Sequence, residues 1–219
     1  MMRRLSENPV FGPSQERWES EAAFNGCPVV DNGKTHFVYR AVSAEHVSSI
    51  GYAVSADGIH FTDRRQFIIP EETWEKYGCE DPRVTKLNGN FFIFYTALSA
   101  YPFNADGIKI AVAITKDFKT IEEKHLVTPF NAKAMVLFPE KINGKIAAIL
   151  TVNTDRPPAK ICLALFDREE DIWSPAYWKD WYATLDTHVV ALTRNQRDHL
   201  EVGAPPLKTS KGWLFFILT

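Results

Sequence analysis

Short runs of apolar and polar residues, separated by turn residues, recur along the chain in one pattern. A turn ending in glycine leads into an aromatic or β-branched run, then a loop, a second apolar run and an acidic turn. The first copy is Asp31-Asn32-Gly33-Lys34, with runs 35–41 and 50–54 and the closing turn Ser55-Ala56-Asp57-Gly58. The second is Leu87-Asn88-Gly89-Asn90, with runs 91–97 and 108–114 and the turn Thr115-Lys116-Asp117-Phe118. The third is Ile142-Asn143-Gly144-Lys145, with runs 146–152 and 161–166 before Asp167, and a fourth opens at Ser210-Lys211-Gly212. The turn glycines stand about 55, 55 and 70 residues apart, the kind of fixed period that marks a repeat architecture.

Asn-Gly between alternating runs marks a tight hairpin, because a type I′ turn needs positive φ at both central residues. Each unit therefore predicts two hairpins, or about four strands, and such units at this period predict an all-β fold of the β-propeller kind. An irregular β-sandwich is the competing reading. A single domain, incomplete at its C-terminal end, is expected over residues 1–219. Helices are few: one turn at 71–77, and a long loop or short helix at 169–181, interrupted by Pro175.

Composition narrows the function classes. Lys plus Arg is 25 and Asp plus Glu is 27, a net charge of −2, which leaves no cationic excess to neutralise a nucleic-acid backbone. Aromatic residues make up 13%, and their faces suit both sheet packing and the stacking of sugar rings. No apolar run approaches the ~20 residues of a membrane span, and the N-terminus lacks the apolar core of a signal peptide. Cys27, Cys79 and Cys162 form no paired motif, which argues against a zinc site or a disulfide framework and for a reducing, cytoplasmic setting. No metal and no cofactor is expected.

Candidate chemistry gathers just ahead of the hairpins. Gly78-Cys79-Glu80-Asp81-Pro82-Arg83 is the sharpest segment. Pro82 is expected to hold Asp81 extended, adjacent carboxylates in an extended stretch point apart, and Arg83 is the expected clamp for Glu80. Trp18-Glu19 with Phe24-Asn25 precedes the first unit, and Asn25 suits either a sugar hydroxyl or an Asx-turn. Tyr39-Arg40 places a cation in the first unit. Leu137-Phe138-Pro139-Glu140-Lys141 and Asp198-His199-Leu200-Glu201 precede the later hairpins. His199 has no second His or Cys at ligand spacing, which speaks against a metal site. By position, Asn25, Asp81, Glu140 and Glu201 are expected to ring one mouth of the channel. Glycosidic cleavage needs one carboxyl to protonate the leaving oxygen and a second group to handle the nucleophile.

In this order and combination these motifs resemble glycoside hydrolase family 130, the β-mannoside phosphorylases and β-mannosidases. The resemblance also takes in Asn8-Pro9, Val202-Gly203-Ala204-Pro205-Pro206 and Gly212-Trp213-Leu214. It implies a five-bladed β-propeller with the site in the central cavity. Asp81 would be the catalytic acid, working through a substrate hydroxyl, with Asn25 and Arg40 in the sugar subsite and Glu80, Arg83, Glu140 and Lys133 as further substrate-binding candidates. The reaction would invert the anomeric centre, with phosphate or water as nucleophile.

Two departures bear on that choice. Where phosphorylases of the family carry a His-Arg pair this chain has Leu150-Thr151, and where they carry a lysine it has Glu201. Lys133 keeps a third cationic place. At ~4 Å and an effective dielectric of ~20, each reversed charge is worth several kcal/mol against phosphate. A carboxylate there suits the deprotonation of water, so the sequence points to a β-mannosidase with Glu201 as general base. The alternatives are a β-mannoside phosphorylase, a non-catalytic sugar-binding propeller, and an arabinanase- or fructosidase-type hydrolase. The aromatics Tyr101, Phe103, Trp173, Trp178 and Trp181 are candidates for stacking on an outer sugar or for packing between units.

The repeat also bears on length. At ~55–70 residues per unit, the 219 residues hold three units and the start of a fourth, fewer than the family's ring implies. A ring left open exposes sheet edges and apolar faces, so a chain that is poorly soluble or inactive on its own is expected, and an open edge favours self-association.

Overall fold

The computed structural model describes residues 5–192 and 200–218. Its body is three antiparallel four-stranded sheets that follow one another along the chain. The first holds β1 (Ala22–Asp31), β2 (Lys34–Val42), β3 (Ser48–Ser55) and β4 (Phe61–Ile68). The second holds β5 (Cys79–Leu87), β6 (Asn90–Leu98), β7 (Ile108–Thr115) and β8 (Glu123–Leu126). The third holds β9 (Ala132–Leu137), β10 (Ile146–Val152), β11 (Lys160–Phe166) and β12 (Val189–Leu192). In each sheet the strands lie in chain order. A smaller group follows, with β13 (Glu201–Val202), β14 (Leu207–Thr209), β15 (Gly212–Leu214) and β16 (Ile217–Leu218); β14 pairs with β15 and β13 with β16. The all-β reading and its propeller-like succession of four-stranded units follow the repeat.

The predicted turns form as their chemistry requires. Asn32 and Gly33, Asn88 and Gly89, and Asn143 and Gly144 all hold positive φ, between 48° and 87°. Each pair links the opening strand of a sheet to its second strand.

Strand β6 shows how the sheets stack. Phe91, Ile93 and Tyr95 face the first sheet and join a core with Val38, Ile50 and Tyr52. Phe92 and Phe94 point the other way, into a core with Val112, Leu137, Leu150 and Trp178. Alternate side chains of one strand thus enter different cores, which explains why this strand reads as an unbroken apolar run.

The segment 169–181 resolves into a short turn at Glu169–Trp173 and a helix, α1 (Pro175–Ala183). Pro175 starts this helix rather than breaking it: its missing N–H falls where no intrahelical partner exists, and Ser174 caps the turn by accepting from the Tyr177 amide. Trp178 and Trp181 are buried between the second and third sheets, so their role is packing. Beyond the third sheet, Phe138, Ile149, Leu163, Leu165, Trp213 and Phe215 line an apolar cavity of about 660 Å³. Leu165, Val190, Phe215 and Ile217 remain exposed around it.

Candidate active site

Strands β1, β5 and β9 open their sheets and lie side by side. The Val84 amide of β5 donates to Cys27 Sγ of β1, and Thr85 Oγ1 donates to the Leu137 carbonyl of β9. Each strand carries one bulge near its start. The irregularities fall between Phe24 and Cys27, between Glu80 and Arg83, and opposite Ile149 and Thr151. Each contains one non-glycine residue with left-handed backbone: Asn25 (φ 48°), Asp81 (φ 52°) and Ala134 (φ 53°). Such conformations cost energy and need support from their surroundings.

Asp81 therefore departs from the expected extended geometry. The bulge overrides the bias imposed by Pro82 and breaks the alternation that would send Glu80 and Asp81 apart. Both carboxylates reach one guanidinium: Arg40 Nη2 meets Glu80 Oε1 at 2.5 Å, and Arg40 Nη1 lies 3.5 Å from Asp81 Oδ1. Arg40 Nε donates to Ser48 Oγ at 3.0 Å, and Ser48 Oγ lies 3.2 Å from Glu80 Oε1, to which it donates. The guanidinium also sits over the Phe24 ring, 5.0 Å from its centroid. Asn25 Nδ2 completes the constellation by donating to Asp81 Oδ1 at 2.8 Å.

The clamp on Glu80 is thus Arg40, not Arg83. Arg83 is nearly buried and committed to backbone: its Nε donates to the Gly203 carbonyl at 2.7 Å, and its Nη1 to the carbonyls of Asp81 and Pro82. It ties the bulge to the segment after β13 and leaves Nη2 4.0 Å from Glu201 Oε1. Burial raises the Glu80 pKa, Arg40 opposes that shift, and the neighbouring Asp81 adds to it.

Glu201 and Asp81 line the same cavity of about 890 Å³, with Asn25 and Arg83. Lys133, on the same face of the molecule, pairs with Asp155 at 3.1 Å and lowers the Glu80 pKa through its charge. Glu140 does not join them. It follows the far end of β9, beyond Leu137, which is level with Thr85 rather than Asp81, and it pairs with Lys208 at 2.5 Å. The bulge residue of β9 is Ala134, so the third sheet brings a methyl group to the place where Asn25 and Asp81 bring polar ones.

Leu150 is buried in the core, and Thr151 Oγ1 accepts from the Val202 amide at 2.9 Å. The pair anchors the strand carrying Glu201 and offers no charge. Tyr101 and Phe103 are 71% and 55% exposed, in edge-to-face contact, with Tyr101 near Tyr77, so they stay available for stacking. Asp198 and His199 lie outside the described residues. Among the described residues no group of three or more His, Cys, Asp or Glu is placed to hold a metal. The cysteines are buried and unpaired, and burial raises all three thiols, Cys162 to about 12.

Ser48 is the site residue that sequence reasoning missed. Its only signal is a register position, opposite Val42 at the end of the strand that carries Arg40.

No helix among the described residues is long and apolar enough to cross a membrane. The curated relatives at 30% identity or more include a 1,2-β-oligomannan phosphorylase of Thermoanaerobacter sp., 32% identical over 97% of this chain and 69% of its own. A β-1,2-mannobiose phosphorylase from the same organism is 31% identical over 97% of this chain and 70% of its own. Among solved structures, the β-1,2-mannobiose phosphorylase of Listeria innocua superposes with a TM-score of 0.76 at 22% identity, covering 98% of this chain and 74% of that one. At that identity the likeness is one of fold. The sequence model of glycoside hydrolase family 130, described as β-1,4-mannooligosaccharide phosphorylase, matches residues 3–219. With these relatives and that match, the chain belongs to glycoside hydrolase family 130, a family of phosphorylases and hydrolases acting on mannosides.

Proposed function

We propose that this chain is a β-mannoside phosphorylase acting on small β-linked manno-oligosaccharides, with inversion at the anomeric carbon. The observation that carries the reading is the joining of Asn25, Asp81, Arg40 and Glu80 in one cluster. Asp81 is the acid that assists departure of the leaving oxygen, through a substrate hydroxyl. Asn25 donates to its Oδ1, and Arg40 Nη1 lies 3.5 Å from the same oxygen, which orients the carboxyl group. Arg40, Glu80 and Asn25 offer donors and acceptors to sugar hydroxyls, and Ser48 and Phe24 hold the guanidinium in place. Phosphate as nucleophile is supported by the relatives, which are named phosphorylases of 1,2-β-oligomannan and β-1,2-mannobiose. The same reading takes the sheets as blades of a five-bladed propeller and the setting as cytoplasmic.

Hydrolysis is the second reading, favoured by one observation: Glu201 faces the cavity that Asp81 lines. A carboxylate there repels phosphate and suits activation of water. Product analysis on β-1,2- and β-1,4-mannobiose, with and without phosphate, decides. Mannose 1-phosphate formed only with phosphate is the expected result. Mannose released at equal rate without phosphate assigns hydrolysis and leaves Glu201 as the candidate base, which Glu201→Gln tests.

A further inference from the structure

Two of the three sheets bury the same charged device. Ahead of β1, Glu19 is wholly buried, accepts from Tyr39 of β2 at 2.7 Å and pairs with Arg64 of β4 at 2.9 Å. Ahead of β5, Glu75 is wholly buried, accepts from Tyr95 of β6 at 2.5 Å and pairs with Lys124 of β8. In both, a tryptophan precedes the glutamate in a short turn, and the tyrosine follows 20 residues later.

The spacing continues into the site. Asn25 and Asp81 each lie 6 residues beyond their glutamate. Each holds the left-handed backbone of its bulge, and the two hydrogen-bond to one another. The link from glutamate to bulge is short. Gly78 N donates to the Glu75 carbonyl at 2.9 Å, and Cys79 Sγ lies 3.5 Å from Glu75 Oε2. Glu75 Oε1 also accepts from the amides of Glu71 and Glu72.

The third sheet serves as an internal control. Its bulge residue is Ala134, and the residue 6 positions earlier is Thr128, a buried hydroxyl that accepts from the Ile110 amide. The sheets whose bulge residue is polar carry the buried carboxylate; the sheet whose bulge residue is alanine does not. Stability alone does not explain the difference, because an apolar replacement of a buried ion pair is often as stable as the pair.

We propose that Glu19 and Glu75 are positioning residues, paired clamps that fix Asn25 and Asp81 in register with one another. The kinetic consequence rests on the reading of Asp81 as the acid; the geometric one does not.

The test replaces the second clamp by apolar groups, Glu75→Met with Lys124→Met, in the full chain. The reporter is the side-chain amide shift of Asn25 by NMR, calibrated with Asp81→Asn, which removes its carboxylate partner. A folded double variant is expected to move the Asn25 signal toward its Asp81→Asn position. On β-mannobiose its kcat is expected to fall about tenfold, the size of a lost charge-assisted hydrogen bond. An Asn25 signal at the wild-type position, or an unchanged kcat, overturns the proposal. Tyr95→Phe removes one hydrogen bond and covers the case in which the double variant fails to fold: a partial movement of the signal supports the clamp, and none overturns it. A wild-type chain that cleaves no mannoside overturns the proposed function, and the Asn25 signal still decides the clamp.

Discussion

Asn25 and Asp81 lie 56 residues apart in sequence, yet the amide of one donates to the carboxylate of the other at 2.8 Å. Each occupies the left-handed residue of a bulge in the opening strand of its sheet. The repeat thus places two different side chains at one structural position and makes them partners. Asn25→Ala removes the donor that orients Asp81, together with one group offered to the sugar. We expect a kcat loss of roughly tenfold, the worth of a hydrogen bond to a charged group, while Asp81→Asn costs on the order of 10²–10⁴, the range for a general acid. Steady-state rates on β-mannobiose check both, and equal losses would contradict the division of roles.

Arg40 bridges Glu80 and Asp81 while lying over Phe24. Lysine keeps the charge but lacks the planar fork that meets two carboxylates at once. Arg40→Lys is expected to weaken sugar binding at least tenfold, taking about 1.5–3 kcal/mol for a charged hydrogen bond. Titration calorimetry with mannobiose measures it, and wild-type affinity would remove Arg40 from the subsite.

The pH dependence of stability turns on Glu75. Burial raises its carboxyl pKa, but hydrogen bonds from Lys124 and Tyr95 more than offset this, leaving it below its ordinary 4.5. A depressed carboxylate contributes stability that is present above its unfolded pKa and is lost as pH falls through the folded one. The stability gap between wild type and Glu75→Gln is therefore expected to be full at neutral pH and to close in acid. Urea melts across pH 7 to 3 follow the gap, and a gap that persists unchanged in acid would contradict the pairing.

Some of this was legible in the sequence. The Asn-Gly turns at 32–33, 88–89 and 143–144 were readable because few residues tolerate positive φ at both turn positions. Motif and position singled out Asp81, Asn25, Arg40 and Glu201; the structure brings the first three together and sets Glu201 on the cavity that Asn25 and Asp81 line. The bulges were not readable, since Asn25, Asp81 and Ala134 hold left-handed backbone without glycine to announce it. That single fact moved Glu80 onto Arg40, freed Arg83 for backbone carbonyls and put Ala134 where Glu140 had been expected. Trp18-Glu19, noted only as a motif ahead of the first unit, is a buried brace because Tyr39 and Arg64 arrive from distant strands.

The outer face of the third sheet exposes Leu165 and Val190 beside Phe215 and Ile217. Contiguous apolar surface drives association. Leu165→Glu with Val190→Glu is expected to lower sedimentation-detected self-association and dye binding to apolar surface. No change in either would mean that the face is covered in solution.

Glu201 separates the two chemistries. It sits 4.0 Å from Arg83 and faces the cavity of Asp81, while Thr151 anchors its strand through the Val202 amide. At ~4 Å and an effective dielectric of ~20, a carboxylate opposes an arriving anion by about 4 kcal/mol per unit charge, less with solvent screening. If phosphate is the nucleophile, Glu201→Gln removes that repulsion and lets Arg83 act on the anion. The KM for phosphate is then expected to fall at least about tenfold, equivalent to ~1.4 kcal/mol, with mannobiose binding unchanged. If water is the nucleophile, the same change removes the base, and phosphate-independent cleavage collapses while sugar binding stays. Initial rates of Glu201→Gln across a phosphate series read both outcomes in one experiment, and the collapse would replace phosphorolysis by hydrolysis.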